Sequence, residues 1–144
     1  MKRIRIFGCK NNILLKEELR HAAEYFLNEL IPRKRILDLS ISMTPDFFEQ
    51  SGCFGECWQN DTHLYNIRLD AKLKKRDRLT TLAHELVHVK QFARGELHFG
   101  CGTDKWFGKP YPVSTPYSRL PWEKEANRLE KRLYSAYLKH IKHG

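Results

Sequence analysis

The run best suited to chemistry in this chain is His84-Glu85-Leu86-Val87-His88. Two histidines four apart on a helix project from nearly the same side, with Cβ atoms roughly 5–6 Å apart. Imidazoles at that spacing can bind one zinc ion. The glutamate beside the first histidine then stands where it can take a proton from water that the metal activates. The chemistry this set supports is hydrolysis of a peptide bond, with zinc polarising the scissile carbonyl and Glu85 as general base. The bland alternative is a pair of surface histidines on an ordinary helix.

The surrounding residues speak for a helix. Arg78 to Arg94 contains neither Pro nor Gly. Leu79, Leu82, Leu86, Val89 and Ala93 recur at helical spacing as an apolar stripe, while His84, His88 and Gln91 fall on a different face. Gly95 supplies a stop, and Arg94 suits the negative end of the helix dipole.

A catalytic zinc takes three protein ligands and keeps a position open for water. The third ligand is sought on a second helix, opened by Pro121 and running to about Lys139, with Ala126, Leu129, Leu133 and Tyr137 as its buried stripe. Glu123 and Glu125 flank that stripe on opposite sides. Glu123 is the preferred ligand and Glu125 the alternative; both also suit a helix start. Asn127, four residues after Glu123, is placed to hold a ligand histidine through its second ring nitrogen. Ala126 allows the two helices to approach closely. A donor for the oxyanion is sought among tyrosines: Tyr117, six residues before Glu123, then Tyr111 and Tyr65.

The remaining elements must position these groups. Residues 2–7 read as a short strand. Leu15, Leu19, Ala22, Phe26 and Leu30 form a helical stripe closed by Pro32. Leu37, Leu39, Ile41 and Met43 alternate as a strand with one buried face. Residues 52–59 and 63–70 read as two further strands with Asn60-Asp61 as the turn. Residues 95–120, rich in Gly, Pro and aromatics, read as irregular.

An H-E-x-x-H followed by a Glu on a later helix resembles the gluzincin arrangement of the zincin metallopeptidases. Thr81-Leu-Ala-His-Glu-Leu-Val-His-Val-Lys-Gln91 and Tyr117-Ser-Arg-Leu-Pro-Trp-Glu-Lys-Glu-Ala-Asn127 are similar to small phage or bacterial zincins of the SprT-like or minimal ImmA/IrrE-like kind. Two departures stand out. Asn127 is followed by Arg-Leu-Glu-Lys-Arg-Leu-Tyr where the ImmA/IrrE pattern is apolar, and SprT-like enzymes typically use a third His. The resemblance implies zinc as cofactor, His84, His88 and Glu123 as its ligands, Glu85 and Tyr117 as catalytic groups, and a protein or peptide substrate. It also implies a zincin-like α+β fold. In that fold a small antiparallel sheet packs on an N-terminal helix, the H-E-x-x-H helix and a C-terminal ligand helix. The last strand before the metal helix would be a sheet edge able to pair with an extended peptide. By order that strand is His63–Asp70, with the preceding hairpin strand as the other candidate. Ser51-Gly52-Cys53-Phe54 carries a fainter resemblance to peptide deformylases, which would make Cys53 the third ligand.

At 144 residues and 41% hydrophobic content, one domain spanning 1–144 with a single core is expected, as a monomer. No apolar run is long enough to cross a membrane, and the charged N-terminus lacks the apolar core of a signal peptide. A cytoplasmic protein without a membrane partner is therefore expected. The four cysteines show no C-x-x-C pair; they read as free core thiols, with a zinc clip of Cys53, Cys57 and Cys101 as the alternative. Net charge is +9, with basic clusters at Lys2-Arg3-Arg5, Arg33-Lys34-Arg35, Lys72 to Arg78 and the C-terminus. That balance admits nucleic acid as a partner. A second class of function is thus a binding module, with zinc structural and the basic surface docking nucleic acid or protein.

Overall fold

Alternation in β2 (Leu37–Thr44) is complete: Leu37, Leu39, Ile41 and Met43 are all buried and the residues between them are half-exposed. A strand patterned this way has one face for a core and one for solvent. The computed structural model describes residues 2–143. In it, β1 (Lys2–Phe7), β2, β3 (Gly55–Asp61) and β4 (Leu64–Asp70) form one sheet in the order β1-β2-β4-β3. The helices α1 (Ile13–Leu30) and α3 (Lys75–Ala93) pack on its apolar face, and α4 (Pro121–His143) packs on α3. The described residues share one hydrophobic cluster, built from all three long helices and the sheet. None of the helices is long and apolar enough to cross a membrane.

The architecture is α+β, but the sheet is mixed rather than antiparallel. β1 pairs with β2 and β2 with β4 in parallel, and only the β3–β4 hairpin is antiparallel. The reason is connectivity. An 18-residue helix joins β1 to β2, and such a crossover returns the chain in the same direction. β4 then enters beside β2, which pushes β3 to the outside. The edge nearest α3 is therefore β3, not residues 63–70. The hairpin turns at Thr62-His63, two residues later than expected, because a register shift between Gln59 and Asp61 lengthens β3.

Local chemistry explains the boundaries. Asn12 caps α1, its side-chain oxygen accepting from the Leu15 amide at 3.0 Å. A short α2 (Phe47–Ser51), too brief to leave a periodic signature, ends at Gly52 with φ +78°. Gly55 lets β3 lie against α3: a Cβ there would stand 2.7 Å from Thr81 Cγ2.

The segment expected to be irregular forms a second, three-stranded antiparallel sheet of β5 (Leu97–His98), β6 (Thr103–Trp106) and β7 (Lys109–Pro112), followed by a 3-10 turn at Tyr117–Arg119. Its strands are only two to four residues long, so no alternation could announce them. Trp106 and Tyr111 bring their rings to 6.3 and 5.6 Å from that of Trp122, buttressing the first turn of α4.

Candidate metal centre

α3 is buried almost all round. Leu79, Leu82, Leu86 and Val89 face the core, and Ala83, Val87 and Phe92 are buried too. A helix so enclosed holds its side chains in fixed directions. His84 and His88 project together, ring centroids 5.0 Å apart and nearly perpendicular. α4 crosses above them with Ala126, fully buried, at the contact. Its first turn delivers Glu123, whose Oε1 lies 3.0 Å from His84 Nε2 and 3.3 Å from His88 Nε2.

The second ring nitrogens are also engaged. His84 Nδ1 donates to Glu130 Oε1 at 2.9 Å, and His88 Nδ1 to Gln91 Oε1 at 2.8 Å. Gln91 is fully buried and donates onward to the Trp122 carbonyl and to Glu125. These bonds fix both rings with Nε2 turned toward Glu123.

The electrostatics follow from the geometry. Burial opposes charge on His84, but bonds to Glu123 and Glu130 outweigh it and hold the imidazole up at about 10. Burial likewise opposes charge on His88, and Glu123 again raises it. Burial alone would raise the Glu123 carboxyl, yet the two histidines hold it well below the ordinary range. One carboxylate thus gathers two imidazole rings around a point that a single cation can occupy instead. Nε2 of both histidines and a Glu123 oxygen lie within 4.8 Å of one another. Two imidazole nitrogens and a carboxylate oxygen suit zinc, and three protein ligands leave a position open.

Glu85 lies on α3 close enough to β3 to act on Cys57 and to feel Glu56. It is buried, and burial pushes its carboxyl above the usual value, opposed by His88 and His84. A cleft of about 460 Å³ opens over the cluster, bounded by Gly55, Glu56 and Cys57 of β3 on one side and Phe99 and Tyr117 on the other. The Tyr117 hydroxyl donates to Glu123 Oε1 at 3.1 Å, and burial and that carboxylate push it up to about 12.

Comparison with protein-family models, curated proteins and solved structures yields no match. The reading of this site therefore rests on its own geometry.

The structure brings His84, Glu85, His88, Glu123 and Tyr117 together. It separates the alternatives. Glu125 turns to the other side of α4, where it accepts from Lys90 Nζ at 2.9 Å and Gln91 Nε2 at 3.0 Å. Asn127 is exposed, and the role expected of it, holding a candidate ligand histidine by its second ring nitrogen, falls to Glu130 at His84 and Gln91 at His88. Tyr65 is fully buried and donates to the Thr62 carbonyl, and Tyr111 packs on Trp122. Cys53 and Cys101 are exposed, and among the described residues no cysteine joins a metal-holding group. Cys9 alone of the four is buried in the core. Gln91 and Glu130 escaped sequence reasoning as ligand-orienting residues. Spacing carried a signal: each lies within a turn or two of a candidate ligand, on the histidine-facing side.

Proposed function

We propose that this chain is a zinc-dependent peptidase of the gluzincin-like kind. The observation that supports this most directly is the convergence of His84 Nε2, His88 Nε2 and Glu123 Oε1 beside a buried Glu85, in a cleft bordered by a free strand edge. His84, His88 and Glu123 are the residues that would hold zinc. The chemistry zinc supplies when bound is Lewis acidity, which acidifies water and polarises a carbonyl. The rest falls to the chain. β3 offers backbone donors and acceptors along its outer edge, so an extended peptide can add as a further strand and lie across the cleft. The Glu85 carboxylate accepts a proton from the attacking water and passes it to the departing amine. Its desolvated setting, which raises its proton affinity, suits that role. Tyr117 stands at the rim with its hydroxyl directed inward, where it can donate to the oxyanion as charge develops.

Cleavage of an unfolded protein substrate, followed by mass spectrometry, tests this. Zinc-loaded protein is expected to cleave, and Glu85→Gln to lose at least 100-fold in rate, at the low end of what a general base contributes. Zinc content should be unchanged. Cleavage that survives Glu85→Gln would refute the mechanism. Zinc binding without any cleavage would favour the binding-module reading.

A further inference from the structure

The charges of α4 are segregated. Its three acids are all turned inward: Glu123 and Glu130 to the histidines, and Glu125 to Lys90 and Gln91. Its six lysines and arginines, Lys124, Arg128, Lys131, Arg132, Lys139 and Lys142, are all exposed. At 100° per residue these six fall within an arc of about 100°, directly opposite Trp122, Ala126, Leu133 and Tyr137. Among the described residues none of the six has a carboxylate within ion-pair distance. Arg128 helps to hold the Glu125 carboxyl, on its own helix, below its usual range without an ion-pair contact.

The other basic cluster near the site is different. Lys72 pairs with Glu49 at 2.8 Å and Asp46 at 3.4 Å, Lys75 approaches Glu18, and Arg78 binds Glu18 at 2.6 Å. Arg3 and Arg5 share Asp38. Each of those five cations has a carboxylate within ion-pair distance, whereas the six of α4 have none.

We propose that the outer face of α4 is a docking surface for the phosphate backbone of double-stranded nucleic acid, bound without regard to sequence. The stripe from Lys124 to Lys142 runs about 27 Å at 1.5 Å per residue, comparable with one turn of duplex at about 34 Å. It contains no aromatic side chain, so it lacks the stacking platform that single strands require. From Trp122 to Tyr137 the apolar side of α4 lies in the protein core, and beyond it only Leu138 and Ile141 stand exposed, too little apolar surface for the helix to lie in a bilayer. A straight row of unpaired cations matches a regular row of phosphates.

Anisotropy of a labelled 20-base-pair duplex, titrated with the full chain between 50 and 200 mM salt, tests this. Six phosphate contacts predict a slope of log K on log salt of about −5.4, an affinity loss of about 2000-fold over that range. Replacing Lys131, Lys139 and Lys142 together by Gln should halve the slope and reduce the loss to about 40-fold. Replacing Lys72 and Lys75 by Gln should leave the wild-type slope. An Arg128→Gln, Arg132→Gln pair, with unfolding checked by circular dichroism, serves as a second probe of the same face. No duplex binding at 50 mM salt would overturn the proposal. So would an unchanged slope in both α4 variants, tighter binding of a single strand, or binding to anionic vesicles but not to duplex. Glu85→Gln should bind duplex as wild type does, so the outcome is independent of whether the cleft hydrolyses peptides.

Discussion

Glu123 and Glu125 sit two residues apart on one helix turn and do different work. Glu123 touches both histidines, while Glu125 satisfies buried Lys90 and the Gln91 amide. Glu123→Ala should therefore remove most of the bound zinc, measured by metal analysis after dialysis. Glu125→Ala should keep the metal better and lower the melting temperature, because it leaves buried donors short of a partner. Gln91→Leu removes the acceptor that orients His88 and should weaken zinc binding about 10- to 100-fold, typical of lost ligand-orienting bonds. Protons provide a separate check. In the metal-free protein His84 is held at about 10 and His88 is raised, so at pH 7 His84 is charged. A ligand imidazole must lose its Nε2 proton, so zinc binding should release at least one proton at pH 7 and weaken as pH falls. Calorimetry in buffers of different ionisation enthalpy would read this directly, and zero proton release would contradict the pairing described.

At the scale of elements, the α3–α4 contact sets the geometry of the centre. The small side chain of Ala126 lets α4 approach closely enough for Glu123 to reach both rings. Ala126→Leu should cost about 1–3 kcal/mol through overpacking and should also weaken zinc binding by lifting α4 away. Thermal melts and metal titrations on the same variant would separate the two effects; an unaltered zinc affinity would show that the helices can slide without opening the site. The small sheet of β5, β6 and β7 acts on the same joint through Trp106 and Tyr111 against Trp122. Its place in the fold is thus to fix the start of α4, the turn that carries Glu123.

For the whole molecule, the candidate centre joins two segments about 40 residues apart, because His84 and His88 on α3 and Glu123 on α4 belong to different helices. Metal bound only by the folded state adds to its stability by mass action, about 2.7 kcal/mol at a free zinc concentration 100 times Kd. For a chain of this size that corresponds to roughly 5–11 °C, at about 2–4 °C per kcal/mol. Chelation should lower the melting temperature by that amount in wild type and have little effect on His88→Ala.

Much of this was legible in the residues alone, because the relevant signals are local. The His84–His88 spacing, the α3 and α4 stripes and the alternation of β2 depend only on helix and strand periods, which the chain carries along its own length. Glu123 could be ranked above Glu125 for the same reason. What lay beyond reach depended on pairing between distant segments. The parallel register of β1, β2 and β4 is set by where the α1 crossover returns the chain, and the position of β3 at the edge by which strand enters beside β2. Glu130 replaced Asn127 as the partner of His84 because the crossing of two helices, not the spacing on one, decides which side chain meets the ring. The same holds for charge: composition counted the lysines and arginines, but only tertiary contacts determined that Lys72, Lys75 and Arg78 have carboxylate partners while the outer face of α4 has none.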